Sequence, residues 1–265
     1  MTGLSICNHF NLTGLPFIKS TRIPFSYQSF KRDSQLLQTI FFSRQIATVT
    51  GISGSGKTSL VKYSLNELEP SSHRIISCEL SNPRKKALYK NIAVKCGIEA
   101  HYDSDDIKLQ LIEFFNSENR QGKLNCLIID EAHSLSIPIL EELRSFYEEA
   151  SNFSLILIGL PSLYTDILEL SVNAPFKRRI SLSISADSLE LSQTKDYIIH
   201  NLDSANSKNL IFDEKCFPII HSSTKGVLGK INQLCYFSLI EAFKNNIAFV
   251  TENEIRTCIE KINSV

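Results

Sequence analysis

One stretch of eight residues constrains this chain more than any other: Gly51-Ile52-Ser53-Gly54-Ser55-Gly56-Lys57-Thr58, a fit to GxxxxGK[ST]. Its glycines let the backbone turn so that successive N–H groups converge on an anion. Such a turn works between a strand that delivers it and a helix that adds the positive end of its dipole. The flanks read that way. Ile46–Thr50 is a short, β-branched run ending at Gly51, and a helix is expected from Lys57 to about Leu68, stopped by Pro70 and Ser71. The candidate phosphate cradle is therefore Gly51, Ser53, Gly54, Ser55, Gly56, Lys57, Thr58 and Ser59. In a loop of this kind Lys57 would reach the β- and γ-phosphates of ATP, and the Thr58 hydroxyl would ligate Mg²⁺.

Beyond the loop, strand and helix alternate. Arg74–Leu80 reads as a strand and Lys85–Cys96 and Asp105–Ser117 as helices. Asn125–Ile129 and Ser154–Gly159 are continuous apolar runs, the mark of strands buried on both faces, and the amphipathic stretch Ile137–Ala150 lies between them. Ile180–Ile184 reads as the last strand. From Leu191 onward the pattern is helical: Ser192–Leu202, Asp213–Ser222, Gly229–Asn245 and Glu252–Asn263, with Asp213 and Thr251 as candidate caps. Before the first strand, Asp33–Phe42 has helical spacing inside an otherwise irregular lead-in. The expected fold is α/β: a P-loop NTPase parallel sheet sandwiched by helices over residues 46–188, then a small all-helical lid over 189–265. The lead-in, residues 1–45, is expected to pack on the ATPase core.

A second motif supplies the acids. Cys126-Leu127-Ile128-Ile129-Asp130-Glu131-Ala132-His133 ends a buried strand in two carboxylates, at the sheet edge where ligands sit in open α/β folds. With Thr58, Asp130 is the candidate to hold Mg²⁺, through water. Glu131 is the candidate to orient and deprotonate an attacking water. His133 either reports on the γ-phosphate or caps and packs locally. Lys177-Arg178-Arg179 precedes the last strand. Arg179, and after it Arg178, could reach a neighbouring subunit's γ-phosphate, or both could be solvated surface arginines. Lys57, Glu131, Arg179 and Arg178 complete the candidate catalytic set.

The basic residues Arg84, Lys85, Lys86 and Lys90 follow the second strand. Lys86 and Lys90 fall one helical turn apart and could touch successive phosphates of DNA, a pattern that also suits a solvated helix face. Basic and acidic residues balance at 28 each, which argues against a uniformly basic nucleic-acid coat but permits a local patch. The cysteines, Cys7, Cys78, Cys96, Cys126, Cys216, Cys235 and Cys258, form no CxxC pair and sit among apolar residues, as reduced thiols of a cytoplasmic protein do. The chain opens on no signal-like segment, and its apolar runs are too short to span a bilayer, so no membrane partner is expected.

Taken together, these motifs resemble the AAA+ ATPases of the ExeA/TniB/TnsC kind, ATP-binding subunits encoded beside transposases, with MuB and IstB as more distant relatives. The resemblance rests on Phe10-Asn11-Leu12-Thr13-Gly14-Leu15-Pro16-Phe17, the phosphate loop, Ile129 to His133, Leu157-Ile158-Gly159-Leu160-Pro161-Ser162-Leu163 and Arg179-Ile180. It implies an ATP-dependent regulator that assembles on double-stranded DNA as a ring or helical filament. Such a regulator recruits or activates a transposase, in concert with a target-selection protein, and disassembles on hydrolysis. Two positions depart from the family pattern. Leu160 stands where a polar γ-phosphate sensor is usual, leaving Ser162 as the near candidate. In Thr224-Lys225-Gly226-Val227-Leu228-Gly229-Lys230-Ile231-Asn232, Gly229 stands where the second sensor's arginine is expected, with Lys230 displaced by one helical position. Both departures imply slow or externally controlled hydrolysis. Two other roles are open: an ExeA-like secretion-system ATPase, whose membrane segment this stretch lacks, and a nucleotide-dependent scaffold.

Overall fold

A computed structural model describes residues 3–18, 25–66, 68–80, 83–150, 152–207 and 211–263. In chain order the main elements are α1 (Gly3–Phe10), α2 (Gln28–Ser43), β1 (Ile46–Thr50), α3 (Lys57–Asn66), β2 (His73–Glu79), α4 (Lys85–Cys96), α5 (Ser104–Arg120) and β3 (Leu124–Asp130). They continue with α6 (Ile137–Ala150), β4 (Phe153–Gly159), α7 (Ala174–Lys177), β5 (Ile180–Ser185), α8 (Leu191–Ser204), α9 (Cys216–Thr224), α10 (Leu228–Lys244) and α11 (Glu252–Asn263). The chain divides into two compact units.

The first unit, Gln28–Ser53 with Lys57–Ala186, is built on a parallel sheet of order β2-β3-β4-β1-β5. The strand sequences explain the order. β4 is buried along its whole length and β3 at all but its ends, as central parallel strands must be, whereas β2 and β5 alternate in burial along much of their length, as edges do. Register places Thr50 beside Gly159, Ile129 beside Leu157 and Glu79 beside Asp130, so the carboxyl ends of β1, β4, β3 and β2 form one edge. On one face of the sheet, Phe153, Leu155 and Leu157 join Leu88, Ile92, Leu111 and Leu143 from α4, α5 and α6 in a single core. Phe115 and Phe153 stack there, with ring centroids 4.8 Å apart, and Phe146 lies 5.2 Å from Phe153. Helix α4 stops at Gly97, whose left-handed backbone returns its N–H to the last turn, and α5 starts where the Asp103 carboxylate accepts from the Asp105 N–H at 2.8 Å.

The second unit comprises Met1–Tyr27, Gly54–Gly56 and Asp187–Val265. Its core draws Ile6, Phe10 and Phe17 together with Ile198, Phe212, Phe217 and Leu239. The Thr13 N–H donates to the Ala205 carbonyl at 2.9 Å, and the His9 ring lies 2.9 Å from the Ile247 carbonyl oxygen. Helix α11 opens on a reciprocal cap: the buried Glu254 carboxylate accepts from the Thr251 N–H at 2.9 Å and from its hydroxyl, while Thr251 Oγ1 accepts from the Asn253 N–H.

Four details differ from expectation. The lead-in expected over residues 1–45 divides: its residues through Tyr27 group with the helical unit, and α2 groups with the sheet. Where irregular chain is expected, Gly3–Phe10 forms two helical turns that bury Ile6, Cys7 and Phe10. Helix α9 starts at Cys216, not Asp213, because the Asp213 carboxylate and carbonyl accept from Lys215 and Cys216 in a turn that precedes it. The helix expected to reach Leu68 ends at Asn66, and residue 67 lies outside the described residues.

Candidate nucleotide-binding and hydrolysis site

Strand β1 leads into the loop under restraint at its end. Thr50 accepts the Ala186 N–H at 2.7 Å through its carbonyl, and Gly51 donates its N–H to Gly159 at 3.3 Å. The loop then turns through Gly54 (φ 79°) and Gly56 (φ 92°), conformations that side chains rarely adopt. It ends at the start of α3, where the first amides have no partner within the helix and the dipole is positive. Such an end is built to take an anion. Within the loop, Ser55 Oγ is buried with no hydrogen-bond partner, a donor that a phosphate oxygen would satisfy. Ser53 and Ser59 are exposed at its two ends.

Lys57 is buried, and its Nζ donates to the Gly51 carbonyl at 2.8 Å and the Ile52 carbonyl at 3.0 Å. Burial lowers the pKa of its ammonium group, and the Glu131 and Asp130 carboxylates oppose that shift. Thr58 Oγ1 donates to Asp130 Oδ2 at 3.0 Å, so the loop and the end of β3 meet through the two side chains expected to share a cation. The other Asp130 oxygen accepts the Glu131 N–H at 2.9 Å. Glu131 itself sits in the left-handed region at φ 56°, ψ 32°, with its side chain half exposed.

The other predicted residues fall as follows. Leu160 is half-buried just past β4, and Ser162 opens the short helical turn Leu163–Leu168. Arg179 is exposed and pairs with Glu148 at 3.1 Å; Arg178 is exposed beside it. Arg84, Lys86 and Lys90 are exposed on and before α4. Lys86 holds its ammonium 3.9 Å from the centre of the Tyr102 ring. Lys85 is committed elsewhere, pairing with Asp105 at 2.8 Å and Glu142 at 3.3 Å, so it is the least available of the four for a phosphate. Lys123 likewise joins Arg74 on the buried Glu118.

One arrangement lay beyond the sequence reading. His133 Nδ1 accepts the Leu160 N–H at 3.3 Å, and its Nε2 lies 3.5 Å from Glu131 Oε2. Only tertiary structure brings residue 160 to residue 133. In the helical unit, the Gly229 N–H donates to the Gly54 carbonyl at 2.9 Å, and a Cβ on Gly229 would come 3.1 Å from Gly54 Cα. The residue that stands where an arginine is expected is thus one where a side chain would be crowded.

Residues 38–167, which hold the phosphate loop, both acids and most of the sheet, match the family model described as an AAA domain. The chain carries an AAA domain. That stretch has the P-loop AAA+ fold, a parallel sheet with the phosphate loop following β1. The whole chain is similar to general secretion pathway protein A of Aeromonas hydrophila, 25% identical over 97% of this chain and 48% of that protein. It is also similar to the Mu-like prophage FluMu DNA transposition protein B of Haemophilus influenzae, 31% identical over 49% of this chain and 44% of that one. The chain thus spans about half the length of the curated relatives it matches. Among solved structures, Cdc6p of Pyrobaculum aerophilum superimposes with a TM-score of 0.75 over 92% of this chain and 70% of its own, at 16% identity, a likeness of fold. Among the described residues, no helix is long and apolar enough to cross a membrane.

Proposed function

We propose that this AAA+ ATPase regulates DNA transposition: it binds ATP with Mg²⁺, assembles on double-stranded DNA, recruits or activates a transposase, and leaves the DNA on hydrolysis. The observation that carries this reading is the 31% identity to a DNA transposition protein. The exposed row Arg84, Lys86 and Lys90 supports it as a surface for a phosphate backbone. In the site, the loop amides and Lys57 take the phosphates. Thr58 and Asp130 hold Mg²⁺, which neutralises charge developing on the phosphate oxygens. Glu131 orients a water and takes its proton. Arg179, with Arg178 as the alternative, serves the γ-phosphate of a neighbouring copy, which requires it to exchange Glu148 for phosphate. Leu160 and Gly229, in place of two sensors, make turnover slow and the ATP-bound state long-lived.

The secretion reading keeps one observation of its own: the likeness to general secretion pathway protein A runs along nearly the entire chain. Sedimentation with duplex DNA separates the two. The transposition reading predicts that a non-hydrolysable ATP analogue drives the protein onto DNA as an oligomer, and that ADP does not. If the protein sediments alone with either nucleotide, DNA assembly is wrong and the secretion reading takes precedence.

A further inference from the structure

The end of β4 presents Leu160, with no polar side chain of its own, yet it is wired to the acid that the proposed reading makes the general base. The link is His133. The Leu160 N–H donates to His133 Nδ1 at 3.3 Å, so Nδ1 is an acceptor and the ring proton resides on Nε2. Nε2 lies 3.5 Å from Glu131 Oε2. That spacing is long for a hydrogen bond, in the way that catalytic contacts commonly are before substrate draws them together.

The backbone around this link is closely determined. Glu131 stands in the left-handed region at φ 56°, a conformation retained where surroundings impose it. Its N–H is held by Asp130 Oδ1 at 2.9 Å, and its carbonyl accepts the Ser134 N–H at 2.9 Å. Ser134 Oγ lies 2.8 Å from the Leu80 carbonyl oxygen at the end of β2. Gly159 completes the fit: a Cβ there would come 3.1 Å from the His133 amide nitrogen, so the strand end and the His133 backbone are already in close approach.

We propose that His133 is a positioning residue for hydrolysis, a rigid ring that ties the Leu160 amide at the end of β4 to one oxygen of Glu131 and leaves the other oxygen for the attacking water. In this arrangement a backbone amide and an imidazole do the work of a polar sensor side chain. Displacement of the β4 end turns the ring and moves the carboxylate. The proposal rests on Glu131 acting as the base.

The test is steady-state ATP hydrolysis and nucleotide affinity in the full chain, with thermal melting of every variant. His133→Ala is expected to lower kcat about 10- to 100-fold, the usual effect of losing a group that orients a catalytic one. KM for ATP and affinity for a fluorescent ATP analogue should stay within about twofold, because the two ring contacts of His133 run to Leu160 and Glu131. The discriminating readout is the double variant: added to Glu131→Gln, His133→Ala should cost nothing further, since both act through one carboxylate. His133→Gln, whose amide can both accept and donate, should recover part of kcat, and it carries the test if the alanine variant melts early. Wild-type kcat in His133→Ala, or an equal loss with and without Glu131→Gln, would overturn the proposal. Undiminished turnover in Glu131→Gln alone would instead overturn the underlying assignment of the base.

Discussion

Glu131 lies in a backbone conformation that an L-residue adopts at a cost, and that cost can be measured. At φ 56° and ψ 32° the left-handed region costs a residue with a Cβ about 1–2 kcal/mol. Glycine is free of this penalty but loses about 0.5–1 kcal/mol more chain entropy on folding. The difference predicts that Glu131→Gly is more stable than Glu131→Ala by about 0.5–1 kcal/mol. The bonds that hold residue 131 belong to its backbone, from its N–H to Asp130 and to its carbonyl from Ser134, so both variants keep them. Both lose the same 3.5 Å contact to His133. The assay is thermal and urea unfolding followed by circular dichroism, where this difference amounts to about 1–4 °C in Tm. Hydrolysis should be lost in both. A glycine variant no more stable than the alanine variant would show that the turn carries no strain.

Three further outcomes follow from particular contacts. Glu254→Ala should destabilise by about 1 kcal/mol, read by urea unfolding, because it removes the buried carboxylate that accepts from Thr251 at the start of α11. Burial raises the Glu118 pKa, but hydrogen bonds from Lys123 and Arg74 outweigh it and hold the group below its ordinary value. Its contribution is therefore present above the unfolded-state pKa and lost as pH falls through the folded one, and Glu118→Gln should flatten the acid side of a Tm-against-pH curve. If Lys86 and Lys90 meet DNA phosphates, each change to alanine should reduce the slope of log affinity against log salt by about 1, measured by fluorescence anisotropy on duplexes of different sequence.

The sheet was legible because its signals are local. β3 and β4 announce themselves as unbroken apolar runs, and the eight-residue loop must lie between a strand and a helix to function. The meeting of Thr58 and Asp130 at 3.0 Å follows from that topology, since both emerge at the carboxyl edge. Helix α1 was not legible: with two turns and three buried residues, Ile6, Cys7 and Phe10, it is stable only through tertiary packing. The start of α9 was misplaced because Asp213 favours a cap and a preceding turn equally well in sequence. The link from His133 to Leu160 joins residues 27 apart, and the crowding of Gly229 against Gly54 joins residues far more distant, so neither leaves a periodic trace. Sequence reading marked Gly229 and Leu160 as departures; structure alone relates the first to a close backbone approach and the second to a histidine.

On the function proposed, the phosphate loop and Glu131 form a slow ATPase whose turnover answers to DNA. Phosphate release by the full chain, measured with and without duplex DNA, for the wild type and Glu131→Gln, tests it most directly. The wild type should show a low basal rate and stimulation by duplex DNA, and the variant should lose both while nucleotide binding persists. A rate indifferent to DNA and undiminished in Glu131→Gln would contradict it.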